Sequence, residues 1–105
     1  MARQQPEAKL VKKIKTALET EVGGLWFKVH GGPYQQAGIS DLLGCVAGRF
    51  VAIEVKMPGK EATLTKLQRH FLETVVTSGG LGVMVTSPED AVNIVITHLE
   101  HNPTV

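Results

Sequence analysis

The stretch from residue 41 to residue 56 constrains the fold of this chain more than any other. It contains two runs of strand-forming residues, about Asp41–Ala47 and Phe50–Lys56, with only Gly48-Arg49 between them. So short a connection predicts an antiparallel hairpin, because parallel strands need a crossover of a dozen or more residues. The hairpin also predicts which side chains can meet, since residues two apart on a strand point to the same face.

Helical patterns precede and follow this hairpin. Apolar residues recur at helical spacing in three segments, and turn-forming glycines or prolines separate these segments from further strand-like runs. We therefore expect an α/β fold of order αβββαβα, in which a mixed sheet is flanked by helices, within one domain spanning residues 1–105. The predicted helices begin at Pro6 (ending near Val22), at Thr65 with the capping-box pattern Thr65–Gln68, and at Ser87-Pro88, and the other strands are Leu25–His30 and Gly82–Thr86.

The composition excludes several classes of protein. The chain is 43% hydrophobic with a formal net charge of +1, so it is globular, and a nucleic-acid ligand would need a local basic patch. Its single cysteine, Cys45, excludes an internal disulfide, and the apolar neighbours of Cys45 favour a buried, inert thiol. No segment resembles a signal peptide or a membrane span, which predicts an intracellular, cytoplasmic protein without a membrane partner.

Two acids and a lysine on the hairpin carry the chemistry. Glu54 and Lys56 share one face of a strand, and the hairpin brings Asp41, at the start of the neighbouring strand, next to Glu54. An exposed Glu–Lys pair of little energetic value is the simpler interpretation. Adjacent carboxylates repel, however, unless a divalent cation such as Mg²⁺ lies between them, and the Val55 carbonyl could be a further ligand. Lys56 would then contact the phosphate or the attacking water.

At this point the sequence resembles a known family. Asp41, followed thirteen residues later by Glu54-Val55-Lys56, is similar to the signature of the PD-(D/E)XK nucleases. The segment Gly38-Ile39-Ser40-Asp41, with Glu7 in the first helix and Gln68 in the second, resembles the VRR-NUC (virus-type replication-repair nuclease) branch, although Ser40 stands where the signature has proline. The resemblance covers nearly the whole chain. It implies a restriction-endonuclease-like fold, Mg²⁺- or Mn²⁺-dependent cleavage of DNA, a viral or bacterial origin, and a homodimer similar to Holliday-junction resolvases.

Two residues outside the hairpin have alternative interpretations. Glu7 is spaced with Val11, Ile14 and Leu18 so that it lies on or beside the buried stripe of the first helix. The resemblance implies that Glu7 holds a second metal or orients the first, whereas an acid in the first turn is also favourable with the helix dipole. The capping box explains Gln68 completely, and the resemblance places a catalytic Gln there as well.

Basic and aromatic residues near the proposed site are candidates for DNA contacts. Lys60, Lys66 and Arg69 are expected to bind phosphates, because any substrate must pass close to them. Tyr34, in a glycine-rich loop before the second strand, could stack on a base or simply anchor its loop.

The sequence thus predicts a metal-dependent, structure-selective DNA endonuclease, in which water attacks the phosphodiester in line. Catalysis would depend on Asp41, Glu54 and Lys56, supported by Glu7 and Gln68. One alternative is a nucleic-acid-binding module of the same fold that does not cleave. The other is a structural or interaction protein with Glu54–Lys56 as a surface pair.

Overall fold

The computed structural model describes residues 6–30 and 38–102. These residues form an α/β fold in which a four-stranded mixed sheet is flanked by three helices, as the sequence predicted. The elements are α1 (Pro6–Glu21), β1 (Leu25–Lys28), β2 (Leu42–Val46), β3 (Arg49–Val55), α2 (Lys66–Thr77), β4 (Leu81–Val85) and α3 (Pro88–His101), with a short 3-10 turn at Glu61–Thr63. In these two ranges, no helix combines the length and apolar character that crossing a membrane requires.

The predicted hairpin is confirmed, but its turn lies one residue earlier than expected. β2 and β3 are antiparallel, and Val46 pairs with Arg49, so that Ala47-Gly48 forms the turn. Both turn residues have positive φ, 50° at Ala47 and 79° at Gly48. Positive φ at both positions is typical of the type I′ turn, which matches the twist of the strands, and glycine adopts that conformation without strain.

The strand order is β1-β2-β3-β4, with β3 and β4 parallel. A parallel pair needs a crossover, and α2 is the helix that provides it. The predicted caps of the later helices are present: the Thr65 side chain accepts a hydrogen bond from the Gln68 N–H, and the Ser87 side chain accepts one from the Asp90 N–H. β1 ends at Lys28 rather than at His30 as predicted.

One face of the sheet is fully covered. Alternate residues of β3 point to it, and Val51, Ile53 and Val55 are completely buried there. On the edge strand β1, Trp26 is buried and its indole N–H donates to the Gly23 carbonyl at 2.9 Å. The helical side chains that complete this core come from α1 (Val11, Ile14, Leu18) and α3 (Ala91, Val92, Val95).

The opposite face is covered only in part. α2 packs on the β3–β4 half, where Ala52 forms a small cluster with Leu72 and Val75. Leu43 of β2 packs against this cluster as well. Further along the same face the side chains of Leu25, Phe27, Cys45 and Phe50 are exposed, and we call these four residues the open sheet face.

The predicted buried thiol of Cys45 was wrong, because its side chain is exposed. Leu42, Gly44 and Val46 alternate with it and point into the core. Cys45 therefore points to the open sheet face, which apolar neighbours in sequence could not reveal.

Candidate active site

Asp41 lies where β1, β2 and β3 meet, one residue before β2 begins. Its main-chain carbonyl accepts a hydrogen bond from the Val29 N–H at 2.8 Å. Its side-chain Oδ2 accepts another from the Val55 N–H, also at 2.8 Å. The carboxylate thus takes the place of a main-chain partner at the end of the β2–β3 ladder, and this bond holds it beside Glu54.

Glu54 and Lys56 are both buried, which is unusual for charged residues. Glu54 is 3% exposed and Lys56 is 8% exposed, and the Lys56 Nζ lies 3.7 Å from the Glu54 Oε2. Removing an ion from water in a protein interior costs several kcal/mol, so charged side chains are rarely buried without a reason. The interpretation of Glu54–Lys56 as an exposed surface pair is therefore wrong.

Two buried oxygens at this place have no hydrogen-bond partner among the described residues. They are the Glu54 Oε1 and the Ser40 Oγ, and Ser40 is only 1% exposed. A buried polar atom without a partner costs about 1–3 kcal/mol. In native proteins such atoms are explained by local strain, by an ordered water or ion, or by a catalytic role.

The surroundings of Glu54 favour its protonated form. Burial is the largest cause that raises the pKa of Glu54 to about 8, followed by the negative charge of Asp41 and a hydrogen-bonding contact between the two carboxyl groups. The charge of Glu7 adds to the increase in pKa, and the Lys56 ammonium group opposes it. A bound cation would have the opposite effect on the pKa of Glu54 and favour its ionised form.

Glu7 approaches the site without joining a compact ligand cluster. It lies in the first turn of α1, half-buried, and its charge acts on Glu54. Within residues 6–30 and 38–102, no three His, Cys, Asp or Glu side chains are grouped so that they could hold a metal ion. Its predicted role as a metal ligand therefore stays a prediction.

Without Glu7, the possible ligand atoms of the site still suit a hard divalent cation. They are the carboxylates of Asp41 and Glu54 and the main-chain carbonyl of Val55, all of them oxygens, which is the chemistry that Mg²⁺ and Mn²⁺ prefer. The unpartnered Oε1 of Glu54 fits such a ligand role. Water or substrate would supply the remaining oxygen ligands of such an ion.

Gln68 lies in the predicted capping box, which is confirmed. Its Oε1 accepts a hydrogen bond from the Thr65 N–H at 2.9 Å, and its own N–H donates to the Thr65 Oγ1 at 3.1 Å. The segment leading to Asp41 packs beside it, because Gly38 (φ 86°) lies so close to Leu67 that a Cβ would come within 2.7 Å of the Leu67 carbonyl oxygen. The start of α2 is therefore anchored next to the site.

Three of the four residues predicted to contact DNA lie among the described residues. Lys60, Lys66 and Arg69 are exposed around the beginning of α2. Arg69 lines a groove of about 480 Å³ together with Met84, which is the strand partner of Glu54. Tyr34 lies outside the described residues.

Sequence reasoning missed the burial of Ser40 and the bond between Asp41 and the Val55 N–H. In the sequence, Ser40 stands out only because it replaces the proline of the Pro-Asp signature. The position of this small polar residue, between Ile39 and Asp41 at the start of a buried strand, is the feature of the sequence that could have indicated its burial.

A scan against protein-family models, a search of curated proteins and a search of solved structures each found no match to this chain. The inference of function therefore depends on the site's own residues.

Proposed function

We propose that this protein is a metal-dependent DNA endonuclease of the PD-(D/E)XK type, of the VRR-NUC branch, that hydrolyses phosphodiester bonds in branched or duplex DNA. The observation that carries the proposal is the buried Glu54–Lys56 pair, 3.7 Å apart, beside the Asp41 carboxylate. A restriction-endonuclease-like arrangement of the sheet, an intracellular location and a viral or bacterial origin belong to the same proposal.

Asp41, Glu54 and the Val55 carbonyl are the residues that would hold Mg²⁺ or Mn²⁺. When bound, such an ion polarises a phosphoryl oxygen and lowers the pKa of the water it coordinates. The Val55 N–H orients Asp41 through its bond to Oδ2, which leaves Oδ1 outside that bond. Glu7 would add negative charge that attracts the cation, and Gln68 would hold the start of α2 through its helix cap.

Lys56 supplies a fixed positive charge. Its ammonium group is held beside Glu54 and is only slightly exposed, so little water screens its charge. In that position it would donate a hydrogen bond to the phosphate or to the attacking water. Negative charge grows on the phosphoryl oxygens as the water oxygen bonds to phosphorus and the opposite P–O bond breaks, and the ammonium group stabilises it.

Lys60, Lys66 and Arg69, with Tyr34, are the proposed DNA contacts. Lysine and arginine contacts to phosphates would fix the substrate without reading its sequence. Affinity should therefore fall as salt concentration rises. A preference for branched DNA would place the enzyme in repair or recombination.

One observation favours a second candidate, a DNA-binding module that does not cleave. The described residues lack a three-ligand metal cluster, and the Gln68 side-chain oxygen is already used in the helix cap. In such a module Asp41 and Glu54 would be remnants of a site.

The test is cleavage of labelled DNA by the full chain in Mg²⁺ or Mn²⁺. The panel comprises a four-way junction, 5′ and 3′ flaps, a linear duplex and a single strand. We expect the wild type to cut at least one of them and Asp41→Ala to bind DNA without cutting. If the wild type binds DNA but does not cut it in either metal, the nuclease proposal is contradicted and the non-cleaving module is favoured.

A further inference from the structure

Three lysines share one exposed side of α1. Lys9 is followed three and four residues later by Lys12 and Lys13, so one turn of the helix brings all three together. All three are exposed, and they lie on the side of α1 opposite its buried stripe. Thr16 and Thr20, also exposed, continue this side toward the end of the helix. We call Lys9, Lys12 and Lys13 the α1 lysine face.

The charges of the α1 lysine face do not support the helix that carries them. Within residues 6–30 and 38–102 none of the three lysines forms an ion pair, whereas Lys15 on the same helix pairs with Glu19 at 2.9 Å. Like charges three or four residues apart repel one another, and Lys9 also lies near the positive end of the helix dipole. A ligand that carries negative charge would relieve this repulsion.

The α1 lysine face begins beside the candidate active site. Glu7, in the first turn of α1, is close enough for its charge to act on Glu54. Lys9 and Lys13 follow Glu7 by two and six residues, which corresponds to about 3 and 9 Å along the helix axis. The face therefore leads away from the site along the outer side of α1.

A second basic group lies across the sheet from the α1 lysine face. α1 packs on one face of the sheet and α2 on the other. Lys66 and Arg69 are exposed at the start of α2, which is anchored to the segment leading to Asp41 through the close approach of Gly38 to Leu67. Positive charge is thus present on both sides of the sheet end that carries the site.

We propose that the α1 lysine face binds the phosphate backbone of DNA, so that the substrate is held on both sides of the cleaved bond. The net charge of the chain is only +1, so binding must depend on local groups such as this one. The three lysines span about 6 Å of the helix axis, a length over which duplex DNA carries roughly three phosphate charges. The hydroxyl groups of Thr16 and Thr20 would donate further hydrogen bonds to phosphate oxygens.

This arrangement narrows the substrate class. Duplex DNA has one charge per about 1.7 Å of its axis, twice the density of one strand, so double-stranded arms gain most from two basic surfaces. A junction or a continuous duplex with an arm on each side of the cleaved bond is therefore the expected substrate. The choice of DNA as the polyanion rests on the proposed function, whereas the face itself depends only on the residues of α1.

The test measures the affinity of the full chain for a labelled duplex and a labelled four-way junction by fluorescence anisotropy, over a range of salt concentrations. A chelator prevents cutting during the measurement. The triple variant Lys9→Gln, Lys12→Gln and Lys13→Gln should reduce the slope of log affinity against log salt by about 2.7, or about 0.9 per lysine. At 0.1 M salt this corresponds to a loss of affinity of roughly 10²-fold.

Lys12→Gln and Lys15→Gln form a matched pair of single variants on one helix. Lys12→Gln should reduce the slope by about 0.9, whereas Lys15→Gln should keep the wild-type slope because Lys15 is paired with Glu19. Arginine at positions 9, 12 and 13 keeps the charge and should bind like the wild type. Glutamine and lysine have similar helix propensities, and circular dichroism checks that each variant is folded.

Three results would overturn the proposed face. One is a triple variant with the wild-type slope. Another is an equal change of slope in Lys12→Gln and Lys15→Gln, which would show that only the net charge matters. The third is a wild type that ignores DNA but binds phosphatidylserine vesicles through these lysines, which would assign the face to a membrane surface.

Cleavage, measured separately in Mg²⁺ or Mn²⁺, distinguishes this inference from the proposed function. A wild type that binds DNA through the α1 lysine face but cuts nothing would overturn the nuclease and leave the face standing. A wild type that cuts DNA, with a triple variant that binds as tightly, would overturn the face alone.

Discussion

Two lysine–glutamate pairs in this protein have the same chemistry but differ in distance and in exposure to solvent. Lys15 and Glu19 form an ion pair of 2.9 Å on α1, with side chains 31% and 44% exposed. Lys56 and Glu54 are 3.7 Å apart at the end of β3, with side chains 10% and 4% exposed. The surface pair has the shorter distance, but water screens it, so it contributes only about 0.3–0.5 kcal/mol.

The comparison shows that the distance between the charged atoms does not distinguish the proposed active-site pair from a surface pair. Glu19 is exposed to solvent. Glu54 instead has a second carboxylate beside it and one oxygen without a hydrogen-bond partner among the described residues. Such an arrangement costs stability, and groups with strongly shifted pKa values cluster at functional sites. The two pairs therefore serve as matched experiment and control.

The largest expected difference in stability concerns pH. Since the pKa of Glu54 is raised to about 8 from an ordinary value of 4.5, the folded state keeps a proton that the unfolded state has lost between these values. The free energy of unfolding of the metal-free protein should therefore fall as pH rises from about 4.5 to about 8. Urea denaturation in chelator at several pH values measures it.

Glu54→Gln should remove this pH dependence, because the amide does not titrate. Glu19→Gln should keep it, since that carboxylate is exposed on α1. Equal slopes for the wild type and Glu54→Gln would contradict the assignment of the buried proton to this site.

The smallest expected effect concerns the surface pair itself. Glu19→Gln removes an exposed i,i+4 pair and should lower the free energy of unfolding by no more than about 0.5 kcal/mol. The loss should shrink in high salt, which screens exposed charges. Urea denaturation in low and high salt checks this, and a loss above about 1 kcal/mol would show that exposure is a poor guide to the strength of these pairs.

The placement of the buried pair could be predicted from the sequence, because strand alternation is local. Glu54 and Lys56 share a face by that rule, and the short hairpin brings Asp41 to Glu54. The structure confirms both. The burial of the pair could not be predicted, since an acid and a lysine two residues apart are equally common on exposed strands.

Features that depend on tertiary packing were beyond the sequence. Cys45 is exposed because α2 covers only part of one sheet face, and no local pattern reports how far a helix reaches. The bond from the Val55 N–H to Asp41 joins residues fourteen apart, so it appears only when the strands are paired. The turn at Ala47-Gly48 shifted by one residue because alanine there adopts positive φ, which sequence preference disfavours.

The most direct test of the central claim is the rate of DNA cleavage in Mn²⁺, measured for two matched pairs of variants. Lys56→Met and Glu54→Gln keep side-chain volume and should each lower the rate by at least about 10²–10³-fold while staying folded. Lys15→Met and Glu19→Gln make the same changes on α1 and should cut like the wild type. If the buried-pair variants cut as fast as the surface-pair variants, Glu54 and Lys56 are not the active site of a nuclease.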